Sequence, residues 1–259
     1  MEPLVDLSPP LAALGARLRE LGSVLVCYSG GVDSAFLLAA AHRELGPRAV
    51  GMTAVSPSLA PAERDDAVDL ARAIGADHRL VESREIEDPD YVKNAPDRCF
   101  HCKSELYRIA TVKQREWGLA AIVNGTNTDD LGDYRPGLEA AKQAGVVSPL
   151  VELGFTKAMV REGAQSLGLP VWDKPAAACL SSRIPYGTSV TRERLPASAA
   201  SRPPSAVSVS ARSASASTTT SPASSSTYPT SPAPPPPTCA PTSSPPASPT
   251  ASSTSLSIS

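Results

Sequence analysis

The chain has 259 residues with 24 basic and 26 acidic side chains, a net charge of −2, and this length suits one large or two small domains. No apolar run reaches the roughly 18 residues of a membrane-spanning helix, and the first residues lack a basic-then-apolar signal pattern, so we expect a cytoplasmic protein without a membrane partner. The acidic balance and the lack of basic clusters argue against a nucleic-acid partner.

Strand-like and helix-like patterns alternate along the chain up to residue 167. Apolar residues at helical spacing predict helices at residues 11–21, 34–45, 62–74, 102–117, 136–144 and 156–167. Short apolar runs between them predict strands at residues 23–28, 49–55, 78–81 and 121–124. This alternation predicts an α/β domain over residues 1–195, with a parallel sheet covered by helices on both faces. Ligands of such sheets bind at the carboxyl ends of the strands.

The composition changes abruptly near residue 195. Residues 196–259 hold 21 Ser, 14 Pro, 12 Ala and 9 Thr, and no Gly, Asp, Glu or Lys. Such a segment cannot bury enough apolar surface to offset its conformational entropy, so we expect a disordered low-complexity tail. A GC-rich coding region read out of frame gives the same composition. A native tail and a frameshift product therefore both stay open.

The sequence SGGVDS at residues 29–34 follows the first predicted strand and opens the next helix. The N–H groups and the dipole of a helix N-terminus favour phosphate binding, and glycines let the backbone approach the anion closely. Ser29 and Ser34 add hydroxyl donors, and Asp33 suits a Mg²⁺ ion between phosphates. The Lys-Ser/Thr ending of a Walker A loop is absent. The alternative is an ordinary glycine-rich turn.

A second polar loop, NGTNTDDLGDYRPG at residues 124–137, begins at the end of the fourth predicted strand. It places Asp129, Asp130 and Asp133 beside Arg135 at the edge of the sheet where ligands bind. A solvated loop rich in turn residues is the alternative interpretation. Thr53, at the end of the second strand, would border an adenine by its position alone.

Five cysteines are present, an odd number that does not suit a secreted disulfide framework. Cys99 and Cys102 form a CxxC near a predicted helix start, where thiolates are stabilised. By itself this pair could be a zinc half-site, a redox pair or a coincidence. Cys179 lies in an irregular, hydroxyl-rich segment, and a single cysteine is more often a small buried residue than a nucleophile. Cys27 is expected in the core of the first strand, and Cys239 lies in the tail.

The SGGVDS motif resembles the signature of the PP-loop ATP pyrophosphatases, which activate a carboxylate or amide-like oxygen with AMP and release pyrophosphate. Together with RCFHCKSELY, GTNTDDLGDYRPG and ACLSSRIPYG, in this order, it resembles the LarE family of that superfamily. The resemblance covers roughly residues 10–195. Members of this family are ATP-dependent sulfur transferases that build the nickel-pincer cofactor of lactate racemase.

The resemblance implies ATP, Mg²⁺ and a small substrate, a pyridinium biscarboxylate mononucleotide. One carboxylate is adenylated, and sulfur then displaces AMP to leave a thiocarboxylate. By this resemblance Asp33 and Cys179 are catalytic. The nucleotide-binding positions are Ser29, Gly30, Gly31, Asp33, Ser34, Thr53, Gly125, Thr126, Asp129 and Arg135.

The family has two types of sulfur source. In one, a single cysteine at the position of Cys179 gives up its sulfur and becomes dehydroalanine. In the other, three cysteines matching Cys99, Cys102 and Cys179 hold a [4Fe–4S] cluster, whose fourth iron stays open for a transferable sulfide. Because all three cysteines are present, the resemblance favours the cluster type.

The resemblance ends near Leu195. Family members continue into a folded region that binds substrate phosphate and builds a homo-oligomer, and residues 196–259 do not resemble it. Two alternatives therefore stay open. One is another PP-loop activity, such as tRNA thiolation or amidation of the NAD or GMP synthase type. The other is a nucleotide-binding chain that is catalytically defective because this C-terminal region is lost.

Overall fold

A computed structural model describes residues 9–132 and 136–199. Its strands are β1 (Val24–Cys27), β2 (Ala49–Val55), β3 (Asp77–Glu82) and β4 (Ala121–Asn124). Its helices are α1 (Pro9–Leu21), α2 (Val32–Leu45), α3 (Pro61–Ile74), α4 (Pro89–Val92), α5 (Arg98–Glu116), α6 (Pro136–Gln143), α7 (Pro149–Glu152), α8 (Lys157–Ser166) and α9 (Arg194–Ala199). None of these helices is long and apolar enough to cross a lipid bilayer.

The four strands form one parallel sheet in the order β3-β2-β1-β4. In the register, Cys27 at the end of β1 lies beside Met52 of β2 on one side and Asn124 of β4 on the other. The carboxyl ends of β1 and β4 therefore meet at one edge of the sheet. The predicted α/β class with a parallel sheet is confirmed.

Helices cover both faces of the sheet because side chains alternate along each strand. In β1, Val24 and Val26 pack in the larger core around α2, whereas Leu25 packs in a second core with residues of α5. Helix α2 lies almost entirely in the interior, with ten of its residues buried. Since α2 follows the SGGVDS loop directly, its burial fixes the position of that loop against the sheet.

The structure differs from the sequence-based prediction at three places. Helix α5 begins at Arg98, four residues before the predicted start, so Cys99 and Cys102 lie inside its first turns. The prediction missed this because the polar first turn has no apolar periodicity. The four-residue helices α4 and α7 were too short to show a period. Helix α9 includes the first four residues of the predicted tail, and residues 200–259 lie outside the described part of the chain.

Candidate active site

A cavity of about 930 Å³ opens at the carboxyl ends of β1, β2 and β4. The predicted site residues on its wall are Ser29, Gly31, Asp33, Ser34, Thr53, Gly125, Thr126, Cys99, Cys102 and Cys179. The structure thus brings the SGGVDS loop and all three cysteines of the resemblance to one chamber. Gly30 and Asp129 do not line it, and Arg135 lies outside the described residues.

The SGGVDS loop is held in shape by its own serines. The Ser29 backbone N–H donates to Ser34 Oγ at 3.1 Å, and the Ser34 hydroxyl donates to the Gly31 carbonyl at 3.1 Å. Helix α2 begins at Val32, within this motif, and its N-cap residue Gly31 provides no side-chain cap. Its first-turn N–H groups lack intrahelical acceptors, so they can bind an anion in the cavity.

Gly30 has a packing role in this loop. Its φ is +75°, and a Cβ there would lie 2.9 Å from the Cβ of Ala67 in α3. The glycine therefore lets the loop turn and approach α3 closely. This placement explains why Gly30 is needed in the motif although it does not line the cavity.

Asp33, in the first turn of α2, forms an ion pair with Lys157 at the start of α8. Lys157 Nζ donates to Oδ1 at 2.8 Å and to Oδ2 at 2.6 Å, and Asn127 Nδ2 donates to Oδ1 at 3.1 Å. Both side chains keep about a third of their surface exposed. A carboxylate and a cation thus lie together beside the uncapped N-terminus of α2.

The loop after β4 packs tightly against this helix start. A Cβ on Gly125 would lie 2.8 Å from the Asp33 carbonyl carbon and the Ser34 nitrogen, so only glycine fits there. Asp129 accepts a hydrogen bond from the Lys157 backbone N–H at 2.9 Å. Asp129, predicted as a nucleotide ligand, therefore supports Lys157 in this structure.

Thr53 lies at the cavity wall, and its hydroxyl takes part in two hydrogen bonds. Its hydroxyl donates to the Tyr28 carbonyl at 2.7 Å, and it lies 2.8 Å from His78 Nε2. Because the hydroxyl proton is already used, His78 Nε2 carries the donor proton in this contact. Burial lowers the pKa of His78, which keeps the ring neutral.

The thiols along the cavity differ in their surroundings. Cys99 and Cys179 are exposed, whereas Cys102 is half-buried. Desolvation raises the pKa of Cys102 to about 12 and that of Cys27 also to about 12, although the nearby Lys103 cation lowers both. Without a metal these two thiols are therefore protonated at neutral pH. Cys27, expected in the core, packs against two apolar clusters and also lines the cavity where β1 ends.

The segment that carries Cys179 is fastened to the chain around α4. Asn94, fully buried at φ 55°, donates its amide hydrogens to the carbonyls of Pro185 at 2.8 Å and Thr188 at 2.9 Å. Tyr91 shares a 2.5 Å hydrogen bond with Ser181 through their hydroxyls. These contacts bring Cys179 next to the start of α5, which no local pattern in the sequence could predict.

Sequence reasoning missed several polar groups of the site. Glu85 is buried at the cavity and accepts hydroxyl hydrogen bonds from Ser58 at 2.7 Å and Ser83 at 2.6 Å. Lys103 lines the cavity next to Cys102, and Lys157 holds Asp33. The position of Lys103 directly after the CxxC was a usable signal. Glu85 and Lys157 lie in polar stretches whose pattern indicates solvent exposure.

Comparison with known proteins supports the family resemblance of the sequence motifs. Residues 11–103 match the family described as asparagine synthase. An uncharacterised protein of Synechocystis is 49% identical over 176 residues, 68% of this chain and 66% of the relative. The pyridinium-3,5-bisthiocarboxylic acid mononucleotide synthase of Lactiplantibacillus plantarum is 36% identical over 193 residues, 74% of this chain and 70% of the relative. An uncharacterised protein of Methanocaldococcus jannaschii is 27% identical over 172 residues, 66% and 65% of the two chains. The chain thus spans about two thirds of the length of each relative.

Proposed function

Because the chain belongs to the LarE family of PP-loop sulfur transferases, we propose that it converts a carboxylate of a pyridinium biscarboxylate mononucleotide into a thiocarboxylate at the expense of ATP. The L. plantarum relative is named for a bisthiocarboxylic acid mononucleotide of this kind. The observation that carries the proposal is that the SGGVDS loop and three cysteines line one cavity of about 930 Å³. Activation and sulfur transfer can then occur in the same chamber.

In the activation half, the start of α2 would bind the phosphates of ATP through backbone N–H groups. A substrate carboxylate oxygen attacks the α-phosphorus, the bond to the bridging oxygen of pyrophosphate breaks, and an acyl-adenylate forms. In the free chain, Lys157 neutralises Asp33. We expect Lys157 to move its hydrogen bonds to phosphate oxygens when ATP enters, because these oxygens carry more negative charge than one carboxylate.

The oxygens at this end of the cavity fit Mg²⁺, a hard cation that binds carboxylates and phosphates. Asp33 and Asp130 both line the cavity and would hold the ion. Bound there, Mg²⁺ supplies positive charge that stabilises the pyrophosphate leaving group.

In the sulfur half, the three thiols fit a [4Fe–4S] cluster, since cysteine thiolates are its normal ligands and all three line one cavity. Cys99, Cys102 and Cys179 would hold it, and its open iron would supply a sulfide. Lys103 places a cation on the same wall and offsets negative charge on the sulfurs. If instead Cys179 is sacrificed, its Cβ–Sγ bond breaks with loss of the Cα proton, which leaves dehydroalanine.

Whichever sulfur is used, the transfer has the same chemistry. A C–S bond forms at the acyl carbon, the bond to the AMP oxygen breaks, and AMP leaves.

The proposal is tested by pyrophosphate release from the full chain under anaerobic conditions, with ATP and Mg²⁺. We expect release to require pyridinium-3,5-biscarboxylic acid mononucleotide and to stay at background with nicotinic acid mononucleotide, which has one carboxylate. Release driven instead by transfer RNA or by ammonia with another carboxylate would contradict the proposal. No release with any of these acceptors would favour a catalytically defective chain.

A further inference from the structure

We propose that Arg98 positions the Cys179 sulfur through Ser182. The proposal rests on the proposed function only in treating these cysteines as the sulfur-bearing residues. It concerns the geometry of the chain without ATP, substrate or iron, and it holds whether Cys179 is a cluster ligand or a sacrificed cysteine.

The first observation is where Arg98 lies and what it contacts. Its side chain is buried, with 3% exposure, at the first residue of α5. Nη1 donates to Asn94 Oδ1 at 2.6 Å and to the Ser181 carbonyl at 2.7 Å. Nη2 donates to Ser182 Oγ at 3.0 Å. One guanidinium thus joins the start of the CxxC helix to the turn that follows Cys179.

The second observation is that these partners are neutral. Within residues 9–132 and 136–199, no carboxylate lies within salt-bridge distance of Arg98. A buried cation is costly unless a negative group compensates it. Nη2 lies 4.0 Å from Cys99 Sγ, and through Ser182 it reaches Cys179. The Tyr186 ring centroid lies 5.8 Å from Arg98 Cζ, so the described partners of this guanidinium are polar or aromatic groups without an ion pair.

The direction of the hydrogen bonds follows from the chemistry of arginine. A guanidinium has only donors, so Ser182 Oγ accepts from Arg98. The Ser182 hydroxyl proton is then available for Cys179 Sγ, which lies 3.1 Å away. Arg98 and Ser182 thus hold the Cys179 sulfur in one direction.

A bridging experiment measures this positioning without ATP, substrate or iron. The full chain carrying Cys27→Ala, Cys99→Ala and Cys239→Ala keeps two thiols, Cys102 and Cys179. Leu180, next to Cys179, packs in the same apolar cluster as Cys102, so the two thiols face one region. The chain is treated with dibromobimane until both thiols have reacted. Mass spectrometry then gives the fraction of chains in which one reagent bridges the pair.

We expect Ser182→Ala and Arg98→Met to lower the bridged fraction severalfold, and Ser182→Thr, which keeps the hydroxyl, to restore it. Arg108→Met removes an exposed arginine of the same helix that pairs with Glu105, and it should leave the fraction unchanged. Ser182 is exposed, so we expect Ser182→Ala to fold and to have the same unfolding temperature as the parent chain, even if Arg98→Met does not fold. A parent-like bridged fraction in Ser182→Ala would overturn the proposal. The experiment measures no turnover, so its result does not depend on whether the proposed function is correct.

Discussion

Lys157 and Asp33 lie 124 residues apart in the sequence, yet Lys157 Nζ donates to both carboxylate oxygens of Asp33, at 2.8 and 2.6 Å. The pair links the start of α8 to the start of α2, beside the SGGVDS loop. Its position explains how the free chain keeps a carboxylate and a cation ready at one end of the cavity. The first two predictions concern these residues.

Replacing Asp33 with alanine should abolish pyrophosphate release that depends on the mononucleotide, because the site loses its best-placed Mg²⁺ ligand. The fold should persist, since partly exposed ion pairs contribute only about 0–1 kcal/mol. The measurement is pyrophosphate release beside thermal unfolding. Asp69→Ala, which removes an exposed ion pair of α3, is the control. Pyrophosphate release at the parent rate in Asp33→Ala would contradict the assignment of Asp33 to the phosphate site.

Replacing Lys157 with methionine should lower the rate of pyrophosphate release by on the order of 10²-fold, as expected when one preorganised charged donor is lost from a transition state. The matched control is Lys142→Met, an exposed lysine of α6. Initial rates at saturating ATP distinguish a loss of turnover from a loss of binding. If the variant binds ATP more weakly but reaches the parent rate at saturating ATP, then Lys157 contributes to ATP binding and not to turnover.

Replacing Gly125 with alanine should weaken ATP binding and lower stability. The added methyl group would meet the α2 backbone at 2.8 Å, and overpacking of this kind costs about 1–3 kcal/mol. Gly132→Ala is the control, because its Cβ would meet open space. Calorimetric titration with ATP and thermal unfolding give both quantities. Parent-like ATP affinity in Gly125→Ala would mean that this close approach does not shape the nucleotide site.

The free chain should lose stability at alkaline pH through Cys27. Its pKa is raised from 9.0 to about 12, chiefly by burial, so the folded chain retains a proton that the unfolded chain releases. Stability therefore falls as the pH rises from about 9 towards 12, by on the order of a few kcal/mol in all. In metal-free chain, Cys27→Ala should make the pH dependence of urea unfolding less steep over this range, while Cys102, whose pKa is also raised to about 12, keeps part of it. An equally steep dependence in the variant would contradict the buried thiol assignment.

Iron content distinguishes the two sulfur sources. After anaerobic reconstitution we expect close to four irons and four sulfides per chain, as a [4Fe–4S] cluster requires. The variants Cys99→Ala, Cys102→Ala and Cys179→Ala should each lose the iron, whereas Cys27→Ala should keep it. Iron-free protein that loses hydrogen sulfide from Cys179 during turnover would instead support the sacrificial type.

The sequence was sufficient for the sheet, for the glycine-rich loop between β1 and α2, and for a CxxC near a helix start. Each of these depends on local chemistry: valine-rich strands, a glycine pair before a helix, and two cysteines one turn apart. It was not sufficient for Lys157, Arg98 or Glu85, because no local pattern indicates their long-range partners. Only tertiary packing brings Lys157 to Asp33, Arg98 to the segment after Cys179, and Glu85 to Ser58 at the cavity.

The central claim is that this chain activates a carboxylate and replaces its oxygen with sulfur in one cavity. The most direct test is mass spectrometry of pyridinium-3,5-biscarboxylic acid mononucleotide after anaerobic incubation with the reconstituted full chain, ATP and Mg²⁺. The account predicts a thiocarboxylate product, with one AMP and one pyrophosphate formed for each oxygen replaced. Formation of AMP and pyrophosphate with the mononucleotide recovered unchanged, or converted to an amide when ammonia is present, would contradict it.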